Sequence, residues 1–269
     1  MNIAVDIGNS TLKCQIYSSS EHGIVHSWTI PAEHCQLNVF VEQKLFYWGE
    51  SSEQERLLPG DFPAPVTWRI IQSGKLAGQD LKGEILKIRP KDQFQFITRG
   101  QIPLKTDVET PDKVGIDRLV AAFAAIRRYS EPHMMIVDAG TAITVDIVFD
   151  KIFCGGAILP GLNALANIYP QISDKLPLIS IPEFPVSLGK EPPLYPGKNT
   201  QDAVQSGLYW GTVGAIRQFY DIIGTKIKNL RLIVTGGDSK YLMHGLTSVI
   251  PVKRISHHEA LPLEGIALL

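Results

Sequence analysis

The segment NIAVDIGNSTLKCQIY at 2–17 returns in altered form as MMIVDAGTAITVDIVF at 134–149. In each, an apolar run reaches an aspartate, a glycine follows two residues later, and a second run alternates apolar with polar residues. Val5-Asp6-Ile7-Gly8-Asn9 aligns with Val137-Asp138-Ala139-Gly140-Thr141 at a spacing of 132 residues, close to half of the 269-residue chain. Strand, Asp-x-Gly turn and strand, twice at half-length spacing, restrict the chain to two related halves facing each other across a cleft. We place the halves at 1–115 and 116–269, with the crossing between them inside 105–133.

The remaining segments read as strands and interleaved helices, an α/β protein. GIVHSWTI is a third strand of the first sheet, VTWRII and QFQFIT are further strands, and KLAGQDLKGEILKI is a helix interrupted by Gly78 and Gly83. DRLVAAFAAIRRY is strongly helical, with Leu119, Ala122, Phe123 and Ile126 on one face and Arg127 and Arg128 at the C-terminal end. In the second half, KIFCGGAIL is a strand, PGLNALANIY a helix with Pro160 near its start, and TQDAVQSGLYWGTVGAIRQFYDIIG a long helix. LRLIVTGGDS is a buried strand meeting a glycine turn and a helix start. Residues 32–65 give no clear pattern, and 177–196 carry six prolines, the mark of an irregular and often functional loop.

Bulk properties narrow the function classes. A net charge of −1 supplies no electrostatic reason for nucleic acid or an anionic membrane as partner. No apolar run approaches the roughly 18 residues needed to span a bilayer, and Met1 leads straight into a strand, so a cytoplasmic protein is expected. Cys14, Cys35 and Cys154 are odd in number and far apart, which favours reduced thiols over a disulfide framework or a metal motif.

Phosphate binding, if present, belongs to the hairpin turns, because neither GxxxxGK[ST] nor a GxGxxG after a strand occurs; YPGKNT lacks the upstream glycine. Gly8 allows a phosphate to approach the backbone, and Asn9, Ser10, Thr11 and Lys13 supply donors. Asp6 repels phosphate but can hold Mg²⁺ through water; the alternative is a turn carboxylate bonded to its own backbone. Asp117 and Arg118 open a helix and point in different directions, so each can meet something else. The arginine suits a carboxylate and the aspartate can accept a hydroxyl proton during phosphoryl transfer; the plainer reading is a helix-dipole acid beside a surface arginine. Asp238 or Ser239 either borders a nucleotide or caps a helix. His257-His258 reads as solvated loop rather than a metal site.

Taken together, DIGNSTLK, PDKVGIDRLVAA, VDAGTAITVDI with GGAILPGL, and NTQDAVQSGLYWG with VTGGDS resemble the type III pantothenate kinase family. The resemblance implies the acetate and sugar kinase, Hsp70 and actin superfamily, with two ribonuclease-H-like halves and ATP between them. It implies ATP-dependent phosphorylation of pantothenate, with Mg²⁺ and a monovalent cation, potassium or ammonium, in a homodimer. By position, Asp6, Ile7, Gly8, Asn9, Ser10, Thr11, Leu12 and Lys13 would form the first phosphate loop, and Thr141 would touch ATP. Gly115, Ile116, Asp117 and Arg118 would hold pantothenate, with Asp117 the proton acceptor, Arg118 near the substrate carboxylate and Thr200 completing the site. Asp138 would bind the monovalent cation. Val108 and Ala121 depart from the family, which commonly has tyrosine and asparagine there. Those changes leave a non-catalytic regulator resembling the Bvg accessory factor group, or another small-molecule kinase, as alternatives.

Overall fold

The computed structural model describes residues 2–17, 24–31, 47–48, 55–56, 65–74, 78–179 and 192–269. Cys35, most of the unpatterned 32–65 stretch and the middle of the proline-rich loop lie outside the described residues.

Two sheets carry the fold, and they share one plan. In the first, β1 (Asn2–Ile7), β2 (Thr11–Tyr17), β3 (Ile24–Pro31), β6 (Thr67–Gln72) and β7 (Gln93–Phe96) stand in the order β3-β2-β1-β6-β7. The chain runs antiparallel through β1, β2 and β3, whereas β6 and β7 are parallel to β1. In the second, β9 (Met134–Ala139), β10 (Ala142–Phe149), β11 (Ile152–Pro160), β12 (Arg231–Thr235) and β13 (Ile255–His257) repeat that order and those directions. A two-residue strand, β8 (Lys105–Thr106), extends the second sheet beyond β11. The duplication read from two short motifs therefore governs ten strands. A separate pair, β4 (Tyr47–Trp48) and β5 (Glu55–Arg56), is antiparallel.

The chain divides into two compact units that interleave in sequence: Met1–Pro103, Asp112–Ala124 and Pro262–Leu269 form one, and Leu104–Pro111 with Ala125–Leu261 the other. Three of the four changes of unit fall between 103 and 125, so a single cut after 115 would part β8 from its sheet.

Strand periodicity decides which side chains reach each core. Ile3, Val5 and Ile7 point one way from β1, where they meet Leu12, Cys14, Ile16, Trp68 and Ile70. Leu81 and Ile85 of α1 (Gly78–Ile88), four residues apart on one helix face, close this layer and are fully buried. Each such side chain contributes about 1.5–3 kcal/mol. In the second unit Met135, Val137 and Ala139 occupy the equivalent positions of β9. They are covered by α3 (Leu162–Ile172), α4 (Thr200–Gly224) and α5 (Ser239–Val249) through Leu162, Leu208, Tyr209, Val213 and Leu242. Asp6 and Asp138, one residue out of phase, project from the opposite face of their own sheets.

The helix α2 (Ile116–Arg128) buries more than the single face expected of it. Leu119, Ala122 and Phe123 are buried as read, but so are Val120, Ala121, Ala124 and Ala125, while Ile126 is only half-buried. Between Arg118 and Arg127 the helix carries no polar side chain, and its alanines are buried with its larger apolar residues. Three features had no local signature at all: β8, β13 and the final helix α6 (Leu261–Ala267).

Candidate active site

Each sheet turns its Asp-x-Gly corner toward the carboxyl ends of its parallel strands, where α/β proteins place ligands. At the first corner the turn is Gly8-Asn9-Ser10, closed by Ile7 opposite Leu12 and by Gly8 N–H donating to Thr11 O at 2.9 Å. Asn9 and Ser10 are exposed. Asp6 stands opposite Lys13 in the register and is 8% exposed. Ile7 and Leu12 are wholly buried, so any part they take in binding comes from the backbone.

What packs on this turn is the end of β6. Ser73 and Gly74 both donate their N–H groups to Ile7 O, at 2.9 and 2.8 Å. A Cβ on Gly74 would stand 1.9 Å from Gly8 O, so only glycine permits that approach. Gln72 ties the loop to α1, its Oε1 accepting from Gly78 N–H at 3.0 Å.

The second corner is one residue shorter. Only Gly140 and Thr141 separate β9 from β10, Ala139 pairs with Ile143, and Asp138 therefore faces Thr144. The repeat thus runs at a spacing of 132 through Gly8 and at 131 from Leu12 onward. Thr141 is exposed and Asp138 half-buried. Asp238 N–H donates to Ala139 O at 2.9 Å, the counterpart of the Gly74 bond to Ile7. Here the glycine that approaches closest is Gly236, at φ +96°; a Cβ on it would lie 2.4 Å from both Ala139 O and Asp138 Oδ1.

Asp117 and Arg118 open α2 in the first unit, both half-buried. Asp117 Oδ1 accepts from Arg118 N–H at 3.0 Å and folds back over Gly115, where a Cβ would sit 2.4 Å from it. Its other oxygen has no hydrogen-bond partner among the described residues. Ile116 is buried, so any part it takes in binding comes from the backbone. The segment is anchored from behind by Arg99, whose Nε donates to Val114 O at 2.6 Å. Nothing local in the sequence marks that arginine, because its partner lies 15 residues on.

Thr200 is the exposed first residue of α4, next to the N-cap Asn199, whose side chain accepts from Asp202 N–H at 2.9 Å. Asp238 occupies the N-cap position of α5 without a side-chain capping bond. Ser239 is fully buried and its Oγ lies 2.6 Å from Gly236 O and 2.8 Å from His257 Nε2. His257 is exposed, as expected of a solvated residue, but it is not loop: it ends strand β13, and its Nε2 is tied to the glycine turn through Ser239, a partner 18 residues away that the local sequence does not mark. Of the two departures from the family, Ala121 is 2% exposed inside α2, and Val108 packs beside Gly155 in the second unit.

Among the described residues no helix is long and apolar enough to cross a membrane. The type III pantothenate kinase family model matches residues 2–221. The Exiguobacterium sp. type III pantothenate kinase is 27% identical over 275 aligned positions, covering all of this chain and 98% of that one. The Rhodopirellula baltica relative of the same name is 37% identical over 155 positions, 57% of this chain and 54% of its own length. The match thus spans about half the length of that relative, as it does for the Persephonella marina protein. Among solved structures, a Baf family transcriptional activator from Campylobacter jejuni superposes with a TM-score of 0.54 at 23% identity, covering 99% of this chain and 96% of that one. The activator of the 2-hydroxyisocaproyl-CoA dehydratase from Clostridium difficile gives 0.55 at 12% identity, covering 99% and 92%. Likeness at these identities establishes the duplicated α/β fold.

Proposed function

The chain belongs to the type III pantothenate kinase family, and from that premise we propose that it transfers the γ-phosphoryl group of ATP to the primary hydroxyl of pantothenate, the first step of coenzyme A synthesis. The observation that carries this reading is the span of the family match. It takes in both Asp-x-Gly corners, the segment entering α2 and Thr200 at the start of α4.

In this reading the Gly8–Lys13 segment receives the phosphates at its turn, through the exposed Asn9 and Ser10 and the backbone between them. Arg118 meets the pantothenate carboxylate, and Thr200 completes the substrate site. Asp117 takes the hydroxyl proton on Oδ2, while Oδ1 stays held by the backbone. A fixed carboxylate with one committed oxygen presents the other in one direction, as proton acceptance from a positioned alcohol requires.

Magnesium arriving with ATP keeps several of its waters and takes only one or two protein carboxylates beside the phosphates. Asp6 is the carboxylate we assign to it. For potassium or ammonium we assign Asp138, where the cradle left by the missing Cβ of Gly236 adjoins Oδ1. Bound cations offset the charge gathered on the phosphate oxygens. A homodimer working in the cytoplasm, where ATP is supplied, completes the proposal.

The test is ADP release on mixing the protein with MgATP and pantothenate, against acetate and a panel of sugars, with the product weighed by mass spectrometry. Pantothenate should alone drive turnover and gain one phosphoryl group. ADP release indifferent to pantothenate would overturn the reading.

A further inference from the structure

We propose that His257, acting through Ser239, is a positioning residue that fixes the Gly236 turn beside the Asp138 carboxylate. The proposal deepens the reading of that corner given above and rests on it for its link to ATP and the monovalent cation.

The hydrogen-bond arithmetic at Ser239 leaves one solution. Its Oγ is 2.6 Å from Gly236 O, and a carbonyl can only accept, so the hydroxyl proton lies on that line. The contact of 2.8 Å to His257 Nε2 must then be an N–H donated by the ring. Nε2 carries a proton both in this neutral tautomer and in the imidazolium form. The clamp therefore holds both in the neutral ring with its proton on Nε2, the form that burial favours by lowering the His257 pKa, ahead of the opposing Glu259 and the reinforcing Lys240 and His258, and in the imidazolium.

The turn needs holding from outside, because Gly236 sits at φ +96° and has no side chain to anchor it. On one side Asp238 N–H binds Ala139 O at 2.9 Å; on the other stands the Ser239–His257 pair. His257 is itself fixed by β13, parallel to β12, with the next residue donating its N–H to Val234 O at 2.9 Å. A chain of direct contacts thus runs from an edge strand through a buried hydroxyl to the glycine that borders Asp138. The surface pair Lys240–Glu259, both residues largely exposed, also links β13's end to α5, but such pairs contribute little. In the first unit the equivalent position is Gln72, whose own side chain clamps the loop by its bond to Gly78. The glycine at 236 removes that option and hands the task to His257.

The experiment compares His257→Leu and His257→Gln with the full-length wild type by amide exchange and by steady-state kinetics. In His257→Leu the amides of residues 236–240 should exchange roughly tenfold faster while the rest of β9 and β12 keeps its protection. The KM for ATP should rise about fivefold, the equivalent of one lost half-buried hydrogen bond, with kcat and the pantothenate KM within about twofold. His257→Gln, which can donate from its amide nitrogen, should restore both. Exchange at 236–240 unchanged in His257→Leu, or a loss that glutamine fails to repair, overturns the proposal. A wild type without pantothenate-dependent turnover would instead remove the kinase reading, and the exchange data would still decide this one.

Discussion

The two Asp-x-Gly corners have one backbone plan and different chemistry. Both place the aspartate one position before the last residue of a central strand, and both secure the following carbonyl by an N–H three residues past the aspartate's partner on the adjoining parallel strand. There the likeness ends. The first corner has a three-residue turn with exposed amide and hydroxyl side chains, and sets Lys13 opposite Asp6. The second has a two-residue turn and sets Thr144 opposite Asp138, with no basic neighbour in the register. There Gly236 packs against the Ala139 carbonyl and the Asp138 carboxylate alike, whereas at the first corner Gly74 packs on turn backbone alone. The frame is common to both corners, and the side chains set them apart: exposed Asn9 and Ser10 with Lys13 opposite Asp6 at the first, threonines at 141 and 144 at the second.

On this view neither corner is the base, which assigns the largest kinetic effect elsewhere. Asp117→Asn should lower kcat by roughly 10²- to 10⁴-fold with ATP binding retained. Asp6→Asn and Asp138→Asn should each cost less, about 10- to 100-fold, as expected for losing one charge-assisted contact. They should also differ in kind: added Mg²⁺ should partly restore the first, and added K⁺ the second. Stopped-flow ADP release with titrations of both cations would check this. A corner variant slower than Asp117→Asn, or identical cation responses, would break the comparison.

The glycines sharpen it further. Gly74→Ala forces a methyl group against Gly8 O, backbone on backbone, and should destabilise by about 1–3 kcal/mol or slightly more, as overpacking does. Gly236→Ala adds a left-handed backbone penalty of roughly 1–2 kcal/mol to its clash with Ala139 O. Urea unfolding would measure both. Of the survivors, Gly74→Ala should lose nucleotide affinity in any salt, and Gly236→Ala chiefly in low K⁺.

Much of this frame was legible in the sequence because strand and helix periods are local. Alternation in TLKCQIY and AITVDIVF gave both hairpins, and the apolar runs before Asp6 and Asp138 gave the central strands. What escaped depends on distant partners or on elements too short to show a period. The two-residue β8 and three-residue β13 could not announce themselves, nor could the bond from Arg69 to the final helix carbonyl of Ala267, 198 residues away. The buried Asp92 is the sharpest case. It accepts from Arg89, Trp68 Nε1 and Val66 N–H, a fully satisfied carboxylate that reads in sequence as one more loop acid. At the candidate site, residue type and spacing drew attention to Asp6, Asp117 and Asp138, while the roles proposed for them come from the family resemblance. The one-residue difference in turn length, which decides whether lysine or threonine faces the aspartate, emerged only from the register.

That register offers the most discriminating, though smallest, intervention. Directly opposed residues of an antiparallel pair share a face with Cβ atoms about 4.5–5.5 Å apart, so Thr144→Lys would set an ammonium beside Asp138 as Lys13 stands beside Asp6. Thr144 is half-buried, and a lysine there can run its stem along the sheet with its head at the rim. If the second corner differs from the first chiefly in lacking that charge, the tethered ammonium should stand in for the monovalent cation. Turnover in NaCl would then rise to within about threefold of turnover in KCl, a gap of less than about 0.7 kcal/mol at RT ≈ 0.59 kcal/mol, and the K⁺ dependence would flatten. Turnover that still climbs steeply with K⁺ in Thr144→Lys, in protein that unfolds as the wild type does, would show that the corner's cation is not held at Asp138.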